Sequence, residues 1–314
     1  MPRRRGSTSG APQDSSVRSS AVAVRPQLVN VEVSELSTDS NRGVFDDARV
    51  AATYVEFMGP TDGFLDRGEA AALVAAADLA RGVPVLDVGV GSGRTTPLLR
   101  LLAERYVAID YAPNMIGAFR KNFSDLPAHV ADARDLAAFE DGEFGLVVFS
   151  NNGLDTVTHE QRRRVLAEFA RVTDETGVVV FSTLNRGGRS YLESPFQLRR
   201  PTTRPQFSLR ALLVAVGRRL LDPSGQVRGV RNWLVNRSKA EDHRSWALAP
   251  LQAHEFALVM HFSTLDDVRT LVAGAGLELI AVYGDDGERI APDRHESAAD
   301  NFTVLAKKPA LERQ

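Results

Sequence analysis

Short apolar runs alternate with amphipathic stretches along much of the chain from residue 83 onward. The apolar runs are four to seven residues long, as buried strands are, whereas the stretches between them repeat apolar side chains at three- and four-residue steps, which predicts helices. Strands are predicted at 83–88, 106–109, 128–131, 145–150, 177–183, 277–283 and 302–307, and helices at 95–105, 114–123, 159–172 and 264–275. This alternation implies right-handed crossovers and an α/β fold, in which a mostly parallel sheet carries helices on both faces.

Two segments depart from the alternation. Residues 1–42 are rich in serine and lack sustained periodicity, which predicts a disordered tail before a single domain over 43–314 that opens with two helices between 45 and 81. Residues 186–262 are predicted to be an insertion after the fifth strand that covers the strand ends as a lid. The insertion is basic, because residues 186–245 hold 13 Arg and Lys against 4 Asp and Glu. A lid helix over 207–221 would pack on the sheet, or its arginines would face an anionic acceptor, a partner surface or a membrane interface.

The composition excludes several classes of protein. The 314 residues are 43% hydrophobic and 25% charged, which is typical of a globular protein with a full core. The absence of cysteine rules out disulfides, thiolate metal sites and cysteine nucleophiles. A net charge of −2 argues against a protein whose whole surface binds nucleic acid. No apolar run approaches the length of a membrane span, and no apolar stretch of signal-peptide length follows the arginine-rich start, so we expect a cytoplasmic protein.

A glycine-rich loop follows the first predicted strand. Gly89, Gly91 and Gly93 are spaced two residues apart between a buried strand and a helix, where missing side chains let a ligand approach the main chain. Glycine loops are also common as plain structural turns. A dinucleotide fingerprint would place its third glycine at position 94, but Arg94 stands there, so pyrophosphate binding is disfavoured.

These residues resemble the first motif of the class I S-adenosylmethionine-dependent methyltransferases, an acidic residue followed by G-x-G-x-G. Asp87 and the three glycines match every defined position, and the resemblance continues in the family's order over about 100 residues, from Val83 to Thr183. It implies a doubly wound, mostly parallel sheet of seven strands with an antiparallel last strand. It also implies S-adenosylmethionine as the cofactor, with S-adenosylhomocysteine as its product.

The resemblance assigns roles to residues at the ends of successive strands. Asp110 would accept hydrogen bonds from both ribose hydroxyls, since a carboxylate can accept two at once. Met115 would approach the adenine, Asp132 would accept from its amino group, and the main chain of Ala133 would donate to the ring. The cofactor-binding residues implied in this way are Asp87, Gly89, Gly91, Gly93, Asp110, Tyr111, Met115, Asp132, Ala133, Asn151 and Tyr54.

Several of these residues have a structural alternative. Asp110 would equally suit a cap on the following helix, and Asp132 could belong to a surface charge cluster with Arg134. Asn151 would lie beneath the methionine portion, or would serve only to turn the chain through a left-handed conformation. Tyr54 would cover the methionine end, as aromatic residues do in relatives, or would pack in the core.

Methyl transfer from a sulfonium needs mainly alignment of the reacting atoms, so no metal site is expected. A hydroxyl or protonated amine acceptor also needs a base, and histidine suits neutral pH. The candidate bases are His254, His261 and His159, with His243 a further histidine in the insertion. His254 and His261 would lie on opposite faces of a continuous strand, so at most one should face the pocket. Trp233 and Trp246 would line the acceptor pocket or belong to the core.

The function expected from the sequence is methyl transfer from S-adenosylmethionine to an oxygen or nitrogen of a small molecule. The acceptor could be anionic, given the basic insertion, and no nucleic-acid substrate is expected. Two other interpretations remain open at this point: a nicotinamide-dependent oxidoreductase of the same topology, and a non-catalytic subunit that keeps the fold as a binding module.

Overall fold

The computed structural model describes residues 33–57, 65–196 and 223–309. In these ranges the helices are α1 (Val33–Phe45), α2 (Ala48–Phe57), α3 (Arg67–Leu79), α4 (Thr96–Leu102), α5 (Pro113–Asn122), α6 (His159–Val172), α7 (Pro223–Asn236) and α8 (Leu265–Gly274). The strands are β1 (Val83–Val88), β2 (Ala103–Asp110), β3 (Ala128–Val130), β4 (Phe144–Phe149), β5 (Thr173–Asn185), β6 (Glu241–Asp242), β7 (Trp246–Leu251), β8 (Leu258–Ser263), β9 (Glu278–Gly284) and β10 (Asn301–Lys307).

Seven of these strands form the predicted doubly wound sheet. Their order is β3-β2-β1-β4-β5-β10-β9, with parallel pairing from β3 to β5. The last strand, β10, lies between β5 and β9 and runs antiparallel to both. The predicted fold class is therefore confirmed. Strand β2 begins at Ala103, inside the helix predicted over 95–105, because Ala103 and Arg105 already pair with β1.

The insertion extends the sheet. Strand β8 pairs in parallel with the end of the long strand β5, at Leu184 and Asn185, beyond the point where β4 stops. Strands β7 and β6 then continue the sheet by antiparallel pairing. These strands of the insertion therefore lie in the sheet, and a lid over the strand ends stays a prediction. The predicted lid helix at 207–221 lies outside the described residues.

The N-terminal helices begin earlier than expected. Residues 33–42, which the sequence assigned to a tail, form most of α1, and three helices rather than two precede β1. The reason is a long-range contact that local composition does not reveal. Asn41 is buried, donates to the carbonyl oxygens of Thr156 (2.9 Å) and Val259 (2.7 Å), and accepts from the Val259 amide (3.1 Å). The remaining tail, residues 1–32, lies outside the described residues.

The core consists of one apolar layer on each face of the sheet. Phe169 of α6 and Val268 of α8 pack on one face, whereas Leu73 of α3 and Phe119 of α5 pack on the other. Such burial on both faces is what a mostly parallel sheet requires. None of the helices in the described ranges combines the length and the apolar character that crossing a membrane demands.

Candidate functional site

The glycine loop between β1 and α4 adopts left-handed backbone conformations at all three glycines. The φ angles are +61° at Gly89, +57° at Gly91 and +98° at Gly93, a region that residues with a Cβ atom rarely occupy. A Cβ atom at Gly89 would lie 2.5 Å from the Phe149 ring, and one at Gly93 would lie 2.4 Å from the Phe123 ring. A Cβ at Gly91 would meet nothing closer than Tyr54, at 3.7 Å. The loop therefore presents its main chain most openly at Gly91.

Asp110, at the end of β2, fixes the loop from the neighbouring strand. The Gly91 amide donates to Oδ2 of Asp110 (3.0 Å) and the Ala112 amide donates to Oδ1 (2.9 Å). Asp110 is not the N-cap of α5, since that position is Ala112. The carboxylate is almost fully buried, and burial raises the pKa of Asp110 to about 6. Each oxygen keeps a free lone pair, so the group can still accept hydrogen bonds from a ligand.

A cavity opens in front of the loop and Asp110. It holds about 740 Å³ of space between atoms, a volume that includes its opening to solvent. Nine of the eleven predicted cofactor-binding residues line it: Tyr54, Gly89, Gly91, Asp110, Tyr111, Met115, Asp132, Ala133 and Asn151. The cavity is also lined by Phe149, Ser150, Asn152 and Gly153, which belong to the strand exit that the resemblance places beneath the methionine portion. The sequence did not identify Phe45, Thr156, Val157 and Met260, which line it as well.

Asp87 and Gly93, which the sequence placed at the cofactor, do not line the cavity. Thr95 and the Tyr106 hydroxyl both donate to Oδ2 of the buried Asp87, each at 2.8 Å. Burial raises the pKa of Asp87 to about 6. Asp87 thus ties the far side of the loop to β2, and Gly93 makes room for Phe123, so both residues shape the loop from behind.

Asp132 follows β3, and its surroundings are compatible with both roles that the sequence left open, a contact to the cofactor and a charge cluster with Arg134. It lines the cavity, and it also forms a two-pronged ion pair with Arg134 (2.7 Å and 3.0 Å). Burial raises the pKa of this carboxyl, but the hydrogen bonds from Arg134 outweigh burial and lower it. Asp132 is therefore an ionised acceptor at the cavity wall, with part of its capacity already used by Arg134.

The exit of β4 turns through two asparagines. Asn151 and Asn152 have φ angles of +52° and +58°, so both supply the left-handed conformation that asparagine tolerates. Both also line the cavity. The Asn151 amide donates to Glu69 (2.7 Å) and the Asn152 amide donates to Ser182 (2.6 Å), whereas the buried Oδ1 of Asn152 has no hydrogen-bond partner. Asn151 and Asn152 can therefore turn the chain and also contact a ligand.

A buried ion pair between Arg94 and Glu69 connects the elements that form the site. Arg94, directly after the third glycine, contacts both carboxylate oxygens of Glu69 on α3, at 2.7 Å and 2.9 Å. Arg94 also donates to Ser150 (3.1 Å), and Glu69 receives the Asn151 amide. The pair connects α3, the loop and the β4 exit. No local pattern in the sequence marks Glu69 as its partner.

His254 lies beside the cavity wall rather than in it. Its ring stacks on Tyr54, with centroids 5.8 Å apart and planes within 3°, and meets Phe45 edge-on at 5.7 Å. Its Nε2 is 3.5 Å from the Tyr54 hydroxyl. Burial lowers the pKa of His254, so the imidazole is neutral at pH 7, and burial raises the pKa of Tyr54 to about 12.

The backbone that carries His254 is unusual. His254, Glu255 and Phe256 have successive φ angles of +52°, +56° and +60°, which costs about 1–2 kcal/mol per residue for L-amino acids. Helix α7 stabilises this left-handed turn, because Asn232 donates to the Glu255 carbonyl (3.0 Å) and Asn236 donates to the Phe256 carbonyl (2.9 Å). The structure therefore holds His254 in a position that a regular strand would not reach.

The other two candidate bases do not lie at the cavity. His261 faces away from it on β8 and contacts His159, with Nε2 of His261 and Nδ1 of His159 3.1 Å apart. Trp246 stacks between His159 (4.3 Å) and His243 (3.9 Å). Trp233 meets Arg237 and Phe196, so neither tryptophan lines the cavity. The expectation that at most one of His254 and His261 faces the pocket agrees with this geometry, although a left-handed turn, not a continuous strand, separates them.

Comparisons with known proteins bear on the domain and on the fold. Residues 85–177 match the sequence profile of a family described as a methyltransferase domain, from the strand before the glycine loop to β5. No curated protein matches the sequence.

Solved structures match over most of the chain. A S-adenosylmethionine-dependent methyltransferase from Leishmania major is 11% identical, with a TM-score of 0.53 over 86% of this chain and 82% of its own. The CcbJ methyltransferase from Streptomyces caelestis is 16% identical (TM-score 0.51; 85% and 98%). The 1,6-didemethyltoxoflavin-N1-methyltransferase of Burkholderia thailandensis, solved with 1,6-didemethyltoxoflavin and S-adenosylhomocysteine, is 13% identical (TM-score 0.51; 88% and 90%). At these identities the structures establish the fold.

The profile match identifies a methyltransferase domain in residues 85–177, and the fold around it is that of solved S-adenosylmethionine-dependent methyltransferases. S-adenosylmethionine is the cofactor that this domain implies.

The cavity fits this cofactor chemically. Asp110 is a buried carboxylate with acceptor capacity to spare, the main chain of Gly91 is open, and Oδ1 of Asn152 is an unpaired buried acceptor. A ribose diol and an amino group would supply the hydrogen-bond donors that such acceptors require. The lining residues in the described part of the chain include two carboxylates and no Arg or Lys, which suits a cationic sulfonium.

Proposed function

We propose that this enzyme methylates an oxygen or nitrogen of a small molecule by direct in-line displacement. The observation that carries the proposal is the apolar wall of the cavity, formed by Phe45, Tyr54 and Met260 from α1, α2 and β8. These elements lie outside the matched residues 85–177, so they belong to the part of the chain that would select an acceptor. An apolar wall with two aromatic rings favours a small acceptor over a polymer that needs an open groove.

The acceptor is proposed to be uncharged. The basic insertion suggested an anionic acceptor, but in the described part of the chain no Arg or Lys lines the cavity, and Asp110 and Asp132 do. A negative acceptor would face these carboxylates in a site of low dielectric, where like charges repel strongly. We retain the cytoplasm as the expected location, because a chain without cysteine gains nothing from an oxidising compartment.

The residues proposed to bind and orient the cofactor are those of the loop and strand ends. Asp110 would accept from the ribose hydroxyls, Asp132 and the Ala133 main chain would contact the adenine, and Asn151 would lie beside the methionine portion. When bound, S-adenosylmethionine supplies a methyl group on a positively charged sulfur. Holding the acceptor in line with that methyl group can supply roughly 7–11 kcal/mol of barrier reduction.

Tyr54 and His254 are proposed to remove the acceptor's proton. A lone pair on the acceptor forms the new bond to the methyl carbon, and the electron pair of the broken carbon–sulfur bond returns to sulfur. The acceptor's proton passes to the Tyr54 hydroxyl, which donates its own proton to Nε2 of His254 across the observed 3.5 Å. The lowered pKa of His254 keeps the ring neutral at pH 7, and in the tautomer with its proton on Nδ1 the Nε2 atom can accept.

Two measurements test this function. Calorimetry with S-adenosylmethionine, S-adenosylhomocysteine and NADH separates a methyltransferase from an oxidoreductase, and binding of NADH alone would contradict the proposal. Formation of S-adenosylhomocysteine is then followed with a panel of phenols, primary amines, imidazoles and carboxylic acids. Turnover is expected with an uncharged phenol or amine, and turnover confined to carboxylic acids, or absent throughout, would contradict the proposed acceptor class.

Variants of the proton-removing pair test the mechanism. Tyr54→Phe and His254→Ala should each lower kcat on the best acceptor by roughly 100-fold, the lower end of general-base effects. The dissociation constant of S-adenosylhomocysteine should stay unchanged in both. His295→Ala, which removes an exposed histidine, is the matched control. An unchanged kcat in His254→Ala would place proton removal elsewhere.

A further inference from the structure

Three ligand-type side chains meet outside the cofactor cavity. His159 is the first residue of α6, His261 lies on β8, and Asp267 lies in the first turn of α8. We call these residues the histidine–aspartate cluster. Nδ1 of His159 is 3.1 Å from Nε2 of His261 and 4.0 Å from Oδ1 of Asp267, and one ligand atom from each residue lies within 4.8 Å of the others. Three separate elements thus point nitrogen and oxygen donors at one place.

The carboxylate of this cluster lacks a partner. The Asp267 side chain is 6% exposed, and its Oδ2 atom has no hydrogen-bond partner among the residues that the structure describes. An acid at this position of a helix commonly accepts the amide of the capping residue. Here the amide of that residue, Thr264, donates to Ser245 instead (2.9 Å), and the Asp267 amide donates to the Thr264 hydroxyl (3.2 Å). A buried carboxylate oxygen without a partner is costly, so it calls for a cation or a donor that the protein does not itself supply.

A neighbouring hydroxyl orients the His261 ring within the cluster. Ser263 contacts Nδ1 of His261 (3.3 Å), so in the tautomer with a proton on Nδ1 the Nε2 lone pair faces His159. Hydrogen bonds of this type orient the imidazole ligands of metal sites. The nearby cation Arg162 forms a buried ion pair with Asp155, which offsets its charge.

We propose that His159, His261 and Asp267 bind one divalent transition-metal ion, with Zn²⁺ as the preferred ion, and that this ion joins α6, β8 and α8. Two imidazole nitrogens and one carboxylate oxygen are ordinary zinc ligands. At usual zinc–nitrogen lengths, tetrahedral ligands are about 3.4 Å apart, so the two nitrogens need to separate by only a few tenths of an ångström. The partly exposed edge of His159 leaves room for water as a fourth ligand.

The ion would have a structural role. The cluster residues do not line the cofactor cavity, and methyl transfer by displacement does not require a metal. An ion that binds the folded chain and not the unfolded one raises stability in proportion to the logarithm of its concentration. The measurable consequence is therefore a higher Tm at unchanged affinity for S-adenosylhomocysteine.

Metal binding is tested on the full chain purified without a histidine tag and dialysed against a chelator. Zn²⁺ is titrated in competition with a chromophoric indicator, and Co²⁺ is titrated by its visible absorption, which reports the ligands directly. One equivalent of each ion should bind, and Tm should rise. His159→Ala and Asp267→Asn should each weaken Zn²⁺ binding by more than about 100-fold, since even the loss of a residue behind the ligands costs 10–100-fold.

His295→Ala provides the matched control, because His295 contacts Asp266 (3.0 Å) on the exposed side of the same helix. It should bind Zn²⁺ as the unchanged chain does. Binding of S-adenosylhomocysteine verifies that each variant is folded. If Asp267→Asn does not bind it, the Zn²⁺ affinity of the His159→Ala variant, whose substituted residue is partly exposed, tests the proposal instead. No saturable binding at one equivalent, unchanged affinity in the folded cluster variants, or loss of binding in His295→Ala would each overturn the proposal.

Discussion

The two ends of the cavity are built in different ways. At the cofactor end, the glycine loop, Asp110 and the β4 exit come from consecutive units of the sheet, and main-chain amides and short side chains make the contacts. At the other end, where we propose that the acceptor binds (the acceptor end), Phe45, Tyr54 and Met260 come from α1, α2 and β8, which are far apart in the chain. His254 reaches this end through a left-handed turn that α7 holds in place. The first end depends on local backbone geometry, whereas the second depends on long-range packing.

This difference predicts where substitutions act. A change at the cofactor end should alter cofactor affinity with little dependence on the rest of the fold. A change in the elements that support the acceptor end should alter stability and turnover, while cofactor affinity is retained.

Asp110→Ala is expected to have the largest effect on affinity. The substitution removes an ionised acceptor for two ribose hydroxyls, and hydrogen bonds to charged groups contribute about 1.5–3 kcal/mol each. Calorimetry should show S-adenosylhomocysteine binding weakened by at least about 100-fold, or about 3 kcal/mol. Asp132→Ala is the comparison, because Arg134 already uses part of that carboxylate, so a smaller loss is expected. Equal losses, or an unchanged dissociation constant for Asp110→Ala, would show that the ribose lies elsewhere.

Most of the residues that the sequence singled out for the cofactor line one cavity, and the reason is physical. A main chain that must face a ligand needs glycine, and a diol needs a carboxylate. Gly89, Gly91 and Asp110 therefore form a pattern of fixed spacing that can be recognised in the sequence. The alternation of strands and helices likewise gave the seven core strands, because a parallel sheet buries both of its faces. Asp87 and Gly93 belong to the same motif, yet they shape the loop from behind, and spacing alone does not separate these two roles.

The sequence predicted the acceptor end poorly, because its contacts join distant segments. Asn41 appeared to belong to a polar tail, but its amide completes the edge of β8, and Glu69 gave no sign that it pairs with Arg94. The insertion broke the strand and helix alternation, although its strands β6 to β8 extend the same sheet. Residue types determine the local conformation of the chain. Contacts between residues more than a hundred positions apart depend on tertiary packing, which local sequence patterns do not encode.

Asn236→Ala tests the acceptor end at a distance from the cavity. The Asn236 side chain is buried and donates to the carbonyls of Phe256 (2.9 Å) and Ala257 (3.2 Å), which end the left-handed turn. Its loss leaves these acceptors without that donor, so the free energy of unfolding should fall by about 2 kcal/mol, measured by urea denaturation. The affinity for S-adenosylhomocysteine should not change. Asn232→Ala, which removes one half-buried bond to Glu255, should cost less, and a larger effect there would contradict this account of the turn.

The pH dependence of cofactor affinity provides the finest test of the cofactor end. Burial raises the pKa of Asp110 from its ordinary value to about 6 in the ligand-free protein, and the ribose hydroxyls need the ionised form as acceptor. Affinity should therefore be constant above pH 7 and fall as Asp110 takes up a proton, by about tenfold between pH 7 and pH 5. The stability of the ligand-free protein changes in the opposite direction. Because the pKa of Asp110 is raised in the folded chain, protonation of Asp110 stabilises the folded protein as the pH falls from 6 towards 4. Asp110→Asn should bind weakly but with no slope over this range. A slope that persists in this variant would assign the titration to another buried carboxyl, since burial also raises the pKa of Asp87, Asp66 and Asp155 to about 6.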